Sequence, residues 1–167
     1  MRPAGPCGTL AGVTAVVLRP AVPEEAAELS ALALRSKAHW GYDEAFLAAC
    51  RDDLAVAPAD CAGSTLEVAD RGSRVLGFSR LTADVPDAVL DDLWVDPPAI
   101  GTGVGRLLLA SALGRAAAAG ATTVRLDADP HAEGFYLRAG AARVGTVPSP
   151  LFPGRELPRL VFTLPAG

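Results

Sequence analysis

The sequence predicts an α+β fold with α/β/α layers, in which a mixed, mostly antiparallel sheet carries helices on both faces. Three observations support this prediction. Short runs rich in β-branched residues alternate with segments of helical periodicity, in the order β-αα-βββ-α-β-α-β. The three consecutive strands in the middle of the chain indicate an antiparallel meander. A helix then connects the last of them to a further strand, which predicts a parallel pair.

The first half of the chain contains one strand, two helices and a hairpin. Val13–Arg19 is short and β-branched, which predicts a strand. Over Pro23–Lys37 the apolar residues recur at helical spacing, and two glutamates occupy the first turn, where the helix dipole favours anions. The segment His39–Asp43 interrupts this helix, and Glu44–Leu54 predicts a second one. Two strand-like runs then flank the turn Arg71–Arg74, as in a hairpin.

The second half alternates strands and helices. Val89–Val95 predicts a strand, and Gly103–Ala119 predicts a helix with one apolar stripe. The remaining predictions are a strand at Thr122–Ala128, a short helix at His131–Ala139, a short strand near Ala142–Thr146 and a last strand at Leu157–Leu164. An exposed C-terminal strand could pair with a second copy of the chain, so a homodimer is one expected assembly.

Composition and charge limit the classes of function. Residues 1–12 are small, rich in proline and glycine and aperiodic, which predicts a flexible tail before one domain spanning 13–167. A net charge of −4 argues against a nucleic-acid partner. The 3 cysteines are widely spaced and odd in number, which favours reduced thiols in the cytoplasm and no metal site. The apolar run Thr9–Leu18 is too short to span a bilayer and lacks a cleavage site, so neither export nor a membrane partner is expected.

Three glycines at alternate positions, Gly101, Gly103 and Gly105, lie between the Val89–Val95 strand and the helix after it. The first N–H groups of a helix have no intrahelical acceptor, and the helix dipole adds positive charge there. Glycines would let a phosphate approach these donors, with Arg106 adding a fixed positive charge. The segment lacks the GK[ST] of a P-loop and the G-x-G-x-x-G of a dinucleotide site. A flexible helix entrance is the alternative explanation.

Two segments resemble motifs of the GNAT superfamily of acyl-coenzyme A-dependent N-acetyltransferases. "LWVDPPAIGTGVG" (Leu93–Gly105) is similar to the family's fourth strand and its Q/R-x-x-G-x-G/A pyrophosphate loop. "DPHAEGFYLRAGA" (Asp129–Ala141) is similar to the family's N/D-x-x-A-x-x-F-Y-x-x-x-G motif. The order of elements agrees, and the resemblance spans about Val13 to Leu164. It implies a GNAT-like sheet that is splayed between Leu90–Val95 and Val124–Asp127.

The resemblance implies that acetyl-coenzyme A (acetyl-CoA) is the co-substrate. Leu93 and Val95 would offer backbone groups to its pantetheine arm, and Asp129 stands where relatives often have an asparagine that contacts this arm. Ile100 occupies a position that is usually arginine or glutamine in the family, so the contact of that side chain is lost. The pyrophosphate would be held by the loop and the helix start, namely Gly101, Thr102, Gly103, Val104, Gly105 and Arg106.

Tyr136 matches the family tyrosine that can protonate the coenzyme A thiolate as it leaves. A phenol with a pKa of about 10 can donate a proton to a thiolate whose own pKa is about 8.5. The alternative is that Tyr136 only packs in the core beside Phe135, but Phe135 suffices for that role. We therefore predict that Tyr136 is the general acid.

The general base has two candidates, Asp91 and Asp92, because Val89 lies where many relatives place a glutamate. Adjacent strand residues point to opposite faces unless a bulge intervenes, so one of the two is expected to face solvent or a structural partner. An ordinary aspartate taking a proton from an ammonium faces about 6.5 pKa units, or roughly 9 kcal/mol. A raised aspartate pKa, a lowered amine pKa or a water relay is therefore needed.

Two further segments are candidates for the acceptor site. His39, Trp40 and Tyr42 lie in the predicted interhelical loop, which borders the acceptor site in folds resembling this family, although helix capping would also explain them. Ser149 and Arg155 lie in a proline-rich segment that could border the same site. The resemblance implies an N-acetyltransferase that acts on the primary amine of a small molecule or peptide by direct attack in a ternary complex. The alternative is a catalytically weak GNAT-like module that binds acyl-CoA as a regulatory ligand.

Overall fold

The computed structural model describes residues 14–63 and 65–165, so the predicted tail (1–12) lies outside the described residues. Within this part, a seven-stranded sheet has the order β1-β2-β3-β4-β5-β7-β6. The strands are β1 (Val17–Pro20), β2 (Leu66–Arg71), β3 (Arg74–Ala83), β4 (Asp87–Val95), β5 (Thr123–Asp127), β6 (Ala142–Pro148) and β7 (Glu156–Thr163). The helices are α1 (Ala26–Ala38), α2 (Glu44–Cys50), α3 (Pro58–Cys61), α4 (Val104–Ala118) and α5 (Glu133–Arg138), with single 3-10 turns at Pro23–Glu25 and Pro97–Ala99.

The predicted mixed, mostly antiparallel sheet is confirmed. Every neighbouring pair of strands is antiparallel except β4 and β5, which are parallel and are joined through α4. The predicted hairpin is a two-residue turn in which Gly72 and Ser73 both have positive φ. Such a turn matches the twist of the strands that it connects. Local turn chemistry therefore fixes the start of the meander.

The C-terminal strand is not an edge of the sheet, so the prediction that this strand is exposed for pairing was wrong. β7 pairs with β5 on one side and with β6 on the other, so the hydrogen-bonding groups of both its edges are already in use. β6 extends to Pro148 and forms the outer strand of the described sheet. The second helix also differs: Asp43 caps its start by accepting a hydrogen bond from Phe46 N, but it ends at Cys50 rather than Leu54.

Helices cover both faces of the sheet, as predicted. Phe78 and its cross-strand neighbours Val68 and Trp94 point to the face that α1, α2 and α3 cover, which we call the front face. The adjacent Gly77 points the other way, because a methyl group built on it would lie 3.1 Å from Leu108 of α4. We call this the back face, and α4 and α5 pack there against β5 and β7.

The parallel strands β4 and β5 pair only at their beginnings. Residues 87–89 of β4 pair with residues 123–125 of β5, and from Leu90 onward β4 has no partner on that side in the described chain. The two strands separate at a β-bulge in β4. Asp91 is the extra residue of this bulge, because Leu90 and Asp92 on either side of it pair with consecutive residues of β3. A bulge bends its strand and increases the local twist. The predicted splay is therefore present, and we call the gap between residues 90–95 and 126–129 the cleft.

Candidate active site

A cavity of about 1070 Å³ occupies the cleft. Its walls come from β4, the glycine loop that begins α4, the segment after β5, α5 and the connection between β6 and β7. Typical ligand pockets measure about 300–1000 Å³, so the cavity is large enough for a cofactor-sized molecule. Elements of both faces of the sheet meet here because the sheet is open at this point.

Gly101 and Gly103 give the loop before α4 its shape. Their φ angles are +80° and +93°, which residues with side chains rarely adopt. A methyl group built on either glycine would meet nothing within 4 Å, so a ligand can approach the backbone. Gly103 is the N-cap of α4, and the N–H groups of the first helical turn lack intrahelical acceptors. The turn thus requires these glycines and also leaves an anion-binding helix start open.

The other residues of the predicted phosphate loop offer less. Thr102 donates both its N–H and its hydroxyl to the carbonyl of Ala99, at 3.2 and 2.6 Å, so these donors are already used. The side chain of Val104 is buried in the core beneath the loop. A methyl group built on Gly105 would lie 3.5 Å from Phe135, which is an ordinary contact distance, so this position faces α5 rather than a ligand. The donors open to a ligand are therefore concentrated at the glycines and the helix start.

Two exposed arginines and an unpaired strand edge complete this part of the cavity. Arg106 and Arg138 line it from α4 and α5. Sequence reasoning missed Arg138, because nothing near it in the sequence indicates that α5 lines the same cavity as the glycine loop. Leu93 and Val95 line the cavity from β4, whose cleft-side edge lacks a strand partner among the described residues. That edge can hydrogen-bond to an extended ligand.

Tyr136 links the back-face core to the cavity. It is only 6% exposed, packs with the core residues of α4 and β5, and also lines the cavity. Burial, assisted by the negative charge of Asp92, raises the pKa of its phenol above the ordinary value. Within residues 14–63 and 65–165, its hydroxyl has no hydrogen-bond partner. Tyr136 therefore keeps its proton over a wide pH range and can offer it to a ligand.

Asp91 and Asp92 both line the cavity but differ in environment. Asp92 accepts a hydrogen bond of 2.9 Å from Trp94 Nε1 and forms an ion pair of 2.9 Å with Arg80. Burial raises the pKa of Asp92, although the hydrogen bond from Trp94 and the charge of Arg80 oppose the change. Asp91 is exposed and accepts a hydrogen bond of 2.7 Å from Thr82. Asp92 is therefore the better-positioned proton acceptor.

Asp129 lies at the centre of a buried polar network. It accepts hydrogen bonds from Lys37 Nζ at 2.7 Å, Tyr42 Oη at 2.9 Å and His131 N at 2.9 Å. Arg155 Nη2 donates to Tyr42 Oη at 2.7 Å and lies 3.4 Å from Asp129. Burial opposes ionisation of Asp129, but the hydrogen bonds from Lys37 and His131 outweigh it and lower its pKa. Burial, with the hydrogen bond to Asp129, raises the pKa of Tyr42 to about 12.

This network joins α1, the loop after it, the segment after β5 and the β6–β7 connection. The carboxylate oxygens of Asp129 are already accepting hydrogen bonds from protein groups, so its predicted contact with the pantetheine arm stays a prediction. Organising the surrounding loops is the role that its contacts support directly.

Aromatic rings enclose the network on the front face. Tyr42 stacks on Phe46 with ring centroids 4.2 Å apart, and Phe46 stacks on Phe152 at 4.1 Å. Lys37 Nζ and the Arg155 guanidinium lie 5.2 and 5.3 Å from the centre of the Tyr42 ring. These cation–π contacts hold both cations in fixed positions.

The predicted acceptor residues fall into two groups. Trp40, Ser149 and Arg155 line the cavity. Tyr42 and His39 do not line it: Tyr42 accepts a hydrogen bond from Arg155, and the exposed His39 packs edge-on against Trp40. Sequence reasoning missed Lys37, which is mostly buried and lines the cavity. The sequence did indicate that Lys37 is buried, because it lies one helical turn after Ala33 on the buried side of α1.

Metal-binding clusters and membrane-spanning helices are absent from the described residues. The described ranges hold no group of three His, Cys, Asp or Glu side chains that could bind a metal ion. None of the helices in residues 14–63 and 65–165 has the length and apolar character needed to cross a membrane. Cys50 and Cys61 are free and buried, and burial raises the pKa of both thiols.

Comparisons with known proteins agree with this geometry. The sequence model of the Acetyltransferase (GNAT) family matches residues 31–141. A GCN5-related N-acetyltransferase from Rhodopseudomonas palustris is 25% identical, with a TM-score of 0.76 over 92% of this chain and 98% of that one. The PaiA N-acetyltransferase of Thermoplasma acidophilum, solved with coenzyme A, is 18% identical, with a TM-score of 0.74 over 89% and 99% of the chains. YncA of Salmonella typhimurium, solved with acetyl-CoA, is 16% identical, with a TM-score of 0.65 over 92% and 96%. No curated protein matches the sequence significantly.

Proposed function

The chain belongs to the acetyltransferase (GNAT) family, and on this premise we propose that it transfers the acetyl group of acetyl-CoA directly to a primary amine in a ternary complex. Residues 13–167 would act as one catalytic domain. The observation that carries the proposal is the cleft, which joins the glycine loop and Tyr136 on the back face to Asp92 on the front face. The coenzyme and the amine would approach from opposite faces and meet there. The bound ligands of PaiA and YncA support this choice of donor.

The residues at the glycine loop fit the diphosphate of coenzyme A. The open backbone at Gly101 and Gly103 and the first turn of α4 supply N–H donors, and Arg106 and Arg138 supply positive charge. Hydrogen bonds to charged groups are worth about 1.5–3 kcal/mol each, so a few of them would anchor the ligand. The free edge of β4 would pair with the amide groups of the pantetheine arm. Acetyl-CoA brings an activated thioester, whose carbonyl carbon the amine attacks.

Asp92 would accept the proton of the amine, directly or through one water. Its raised pKa narrows the gap to an ammonium group, which is the main obstacle for an ordinary aspartate. Trp94 and Arg80 hold its carboxylate in place at the wall of the cavity. Asp91 lacks this burial, so we assign it no direct part in proton transfer.

Tyr136 would donate its proton to the sulfur as the C–S bond breaks. The hydroxyl has no competing acceptor in the described chain, so its proton is available to the sulfur. Its raised pKa makes the phenol a weaker acid, so the proton would be transferred only as negative charge develops on the sulfur. Asp92 and Tyr136 would thus act at the two ends of one displacement, and the amine nitrogen would end as a neutral amide.

Replacing Tyr136 by phenylalanine tests this assignment. The variant keeps the ring in the core but removes its proton, so turnover should fall by about 10²–10⁴-fold. The affinity for acetyl-CoA should change much less, because the hydroxyl acts mainly as the bond breaks. Release of free thiol with a panel of primary amines gives the turnover, and calorimetry gives the affinity. Thermal denaturation should show nearly unchanged stability.

Two other results would contradict the proposal. Wild-type turnover in Tyr136→Phe would leave Tyr136 as a packing residue only. Binding of acetyl-CoA by the wild type without thiol release for any amine would favour the regulatory module over the enzyme.

A further inference from the structure

The front-face end of the cavity contains more buried positive charge than negative charge. Lys37 and Arg155 both approach the carboxylate of Asp129, and their side chains are only 10% and 21% exposed. A single carboxylate can neutralise only one of them. Three further carboxylates line the cavity beside β4 and after α2: Asp53 and Asp91 are exposed to solvent, and Asp92 is paired with an arginine of β3. A partly buried cation without its own counter-ion favours a bound anion.

Arg155 is the cation that can reach such an anion. Its Nη2 atom donates to Tyr42 Oη and lies near Asp129, while its Nε and Nη1 groups have no acceptor in the described part of the chain. Its guanidinium lies 5.0 Å from the centre of the Phe46 ring and 5.3 Å from that of Tyr42. The side chain is therefore held in one orientation at the cavity wall, and planar guanidinium groups match the geometry of carboxylates.

The phosphates of the coenzyme do not explain this excess charge. Arg106 and Arg138 line the cavity from α4 and α5, the two helices that pack on the back face. Arg155 packs instead with Phe46 and Tyr42 of the front face, where Asp92 also lies. The anion at Arg155 therefore belongs to the other reactant.

We propose that the acceptor is an amine that also carries a carboxylate, as amino acids do, and that Arg155 binds this carboxylate while the amino group points towards Asp92. Asp53, on the same wall of the cavity, would add attraction for the ammonium form of the amine. This inference rests on the proposed acetyl transfer and adds the class of acceptor to it.

The test compares α-amino acids with their carboxamides as acceptors, using thiol release from acetyl-CoA. The wild type should favour the carboxylates by about 10- to 100-fold in kcat/KM, the range expected when hydrogen bonds to a charged group are lost. Arg155→Gln should remove this preference, so that the kcat/KM values for the carboxylates and the amides become equal. Arg155→Lys should keep part of the preference. Arg71→Gln, which removes an exposed arginine at the far end of β2, is the control for net charge and should behave as wild type.

Calorimetric binding of N-acetyl amino acids and their amides, with coenzyme A present, decides the inference without turnover. Tighter binding of the carboxylates, lost in Arg155→Gln, supports it even if no amine is acetylated, in which case only the proposed function fails. Equal kcat/KM and equal binding for carboxylates and amides would overturn the inference while leaving acetyl transfer intact. An equal loss for both in Arg155→Gln, with a lowered Tm, would reduce Arg155 to a structural role and would also overturn it.

Discussion

Replacing Asp129 by asparagine should lower the free energy of unfolding by about 3–5 kcal/mol, the usual cost of breaking a buried ion pair on one side. Lys37 Nζ lies 2.7 Å from the carboxylate, and the two side chains are 10% and 8% exposed. The amide would leave the buried ammonium without a counter-charge. It would also keep only one acceptor oxygen, where Asp129 now accepts from Lys37, Tyr42 and His131 through two. Steric change is minimal, so the loss would be electrostatic.

Thermal and urea denaturation measure this loss. In a protein of this size, about 1 kcal/mol corresponds to a change of about 2–4 °C in Tm, so a decrease of about 6–20 °C is expected. The matched control is Asp127→Asn, because Asp127 pairs with Arg159 at 2.7 Å but both side chains are about one-third exposed. Water screens exposed pairs, so the control should lose much less stability. An Asp129→Asn variant that is as stable as the control would refute the reasoning.

A double variant and the pH dependence of stability test whether the loss comes from the Lys37–Asp129 pair. Lys37→Met combined with Asp129→Asn should lose less than the sum of the single changes, because no unpaired ammonium remains among the rings. The pKa of Asp129 is lowered by folding, so its contribution is complete above the unfolded value of about 3.9 and disappears as the pH falls through the folded pKa. The stability of the wild type should therefore decrease more steeply in acid than that of Asp129→Asn.

Two further outcomes are expected. Gly103→Glu should weaken coenzyme A binding in calorimetry by about 10- to 100-fold, because a carboxylate would displace the phosphate from its donors. Gly114→Glu, on the exposed side of the same helix, is the control, and equal affinities would show that the loop does not bind phosphate. Arg80→Met should move the acid limb of the pH–kcat/KM profile to higher pH, since the charge of Arg80 lowers the pKa of Asp92. An unchanged limb would mean that Asp92 is not the base.

Features whose signals lie within one segment of the chain could be predicted from the sequence. A strand pattern, two glycines and a helix pattern follow one another at Val89–Ala119, and the positive φ angles of Gly101 and Gly103 are a local requirement of that junction. The prediction that Tyr136 is the general acid also came from a short local motif, and it stays a prediction. The order of elements and the parallel β4–β5 pair also followed, because periodicity and connection length are local properties.

The residues at the front-face end of the cavity could not be predicted from the sequence and became evident in the folded chain. Lys37 and Arg155 lie 92 and 26 residues from Asp129, and nothing near any of them in the sequence indicates that they meet. The different environments of Asp91 and Asp92 depended on a bulge, and the position of β7 between β5 and β6 depended on the order of the whole sheet. These features have the same physical reason. The pairing of distant strands and the exclusion of water from charged groups depend on the assembled fold, whereas hydrophobic periodicity indicates only which side of an element is buried.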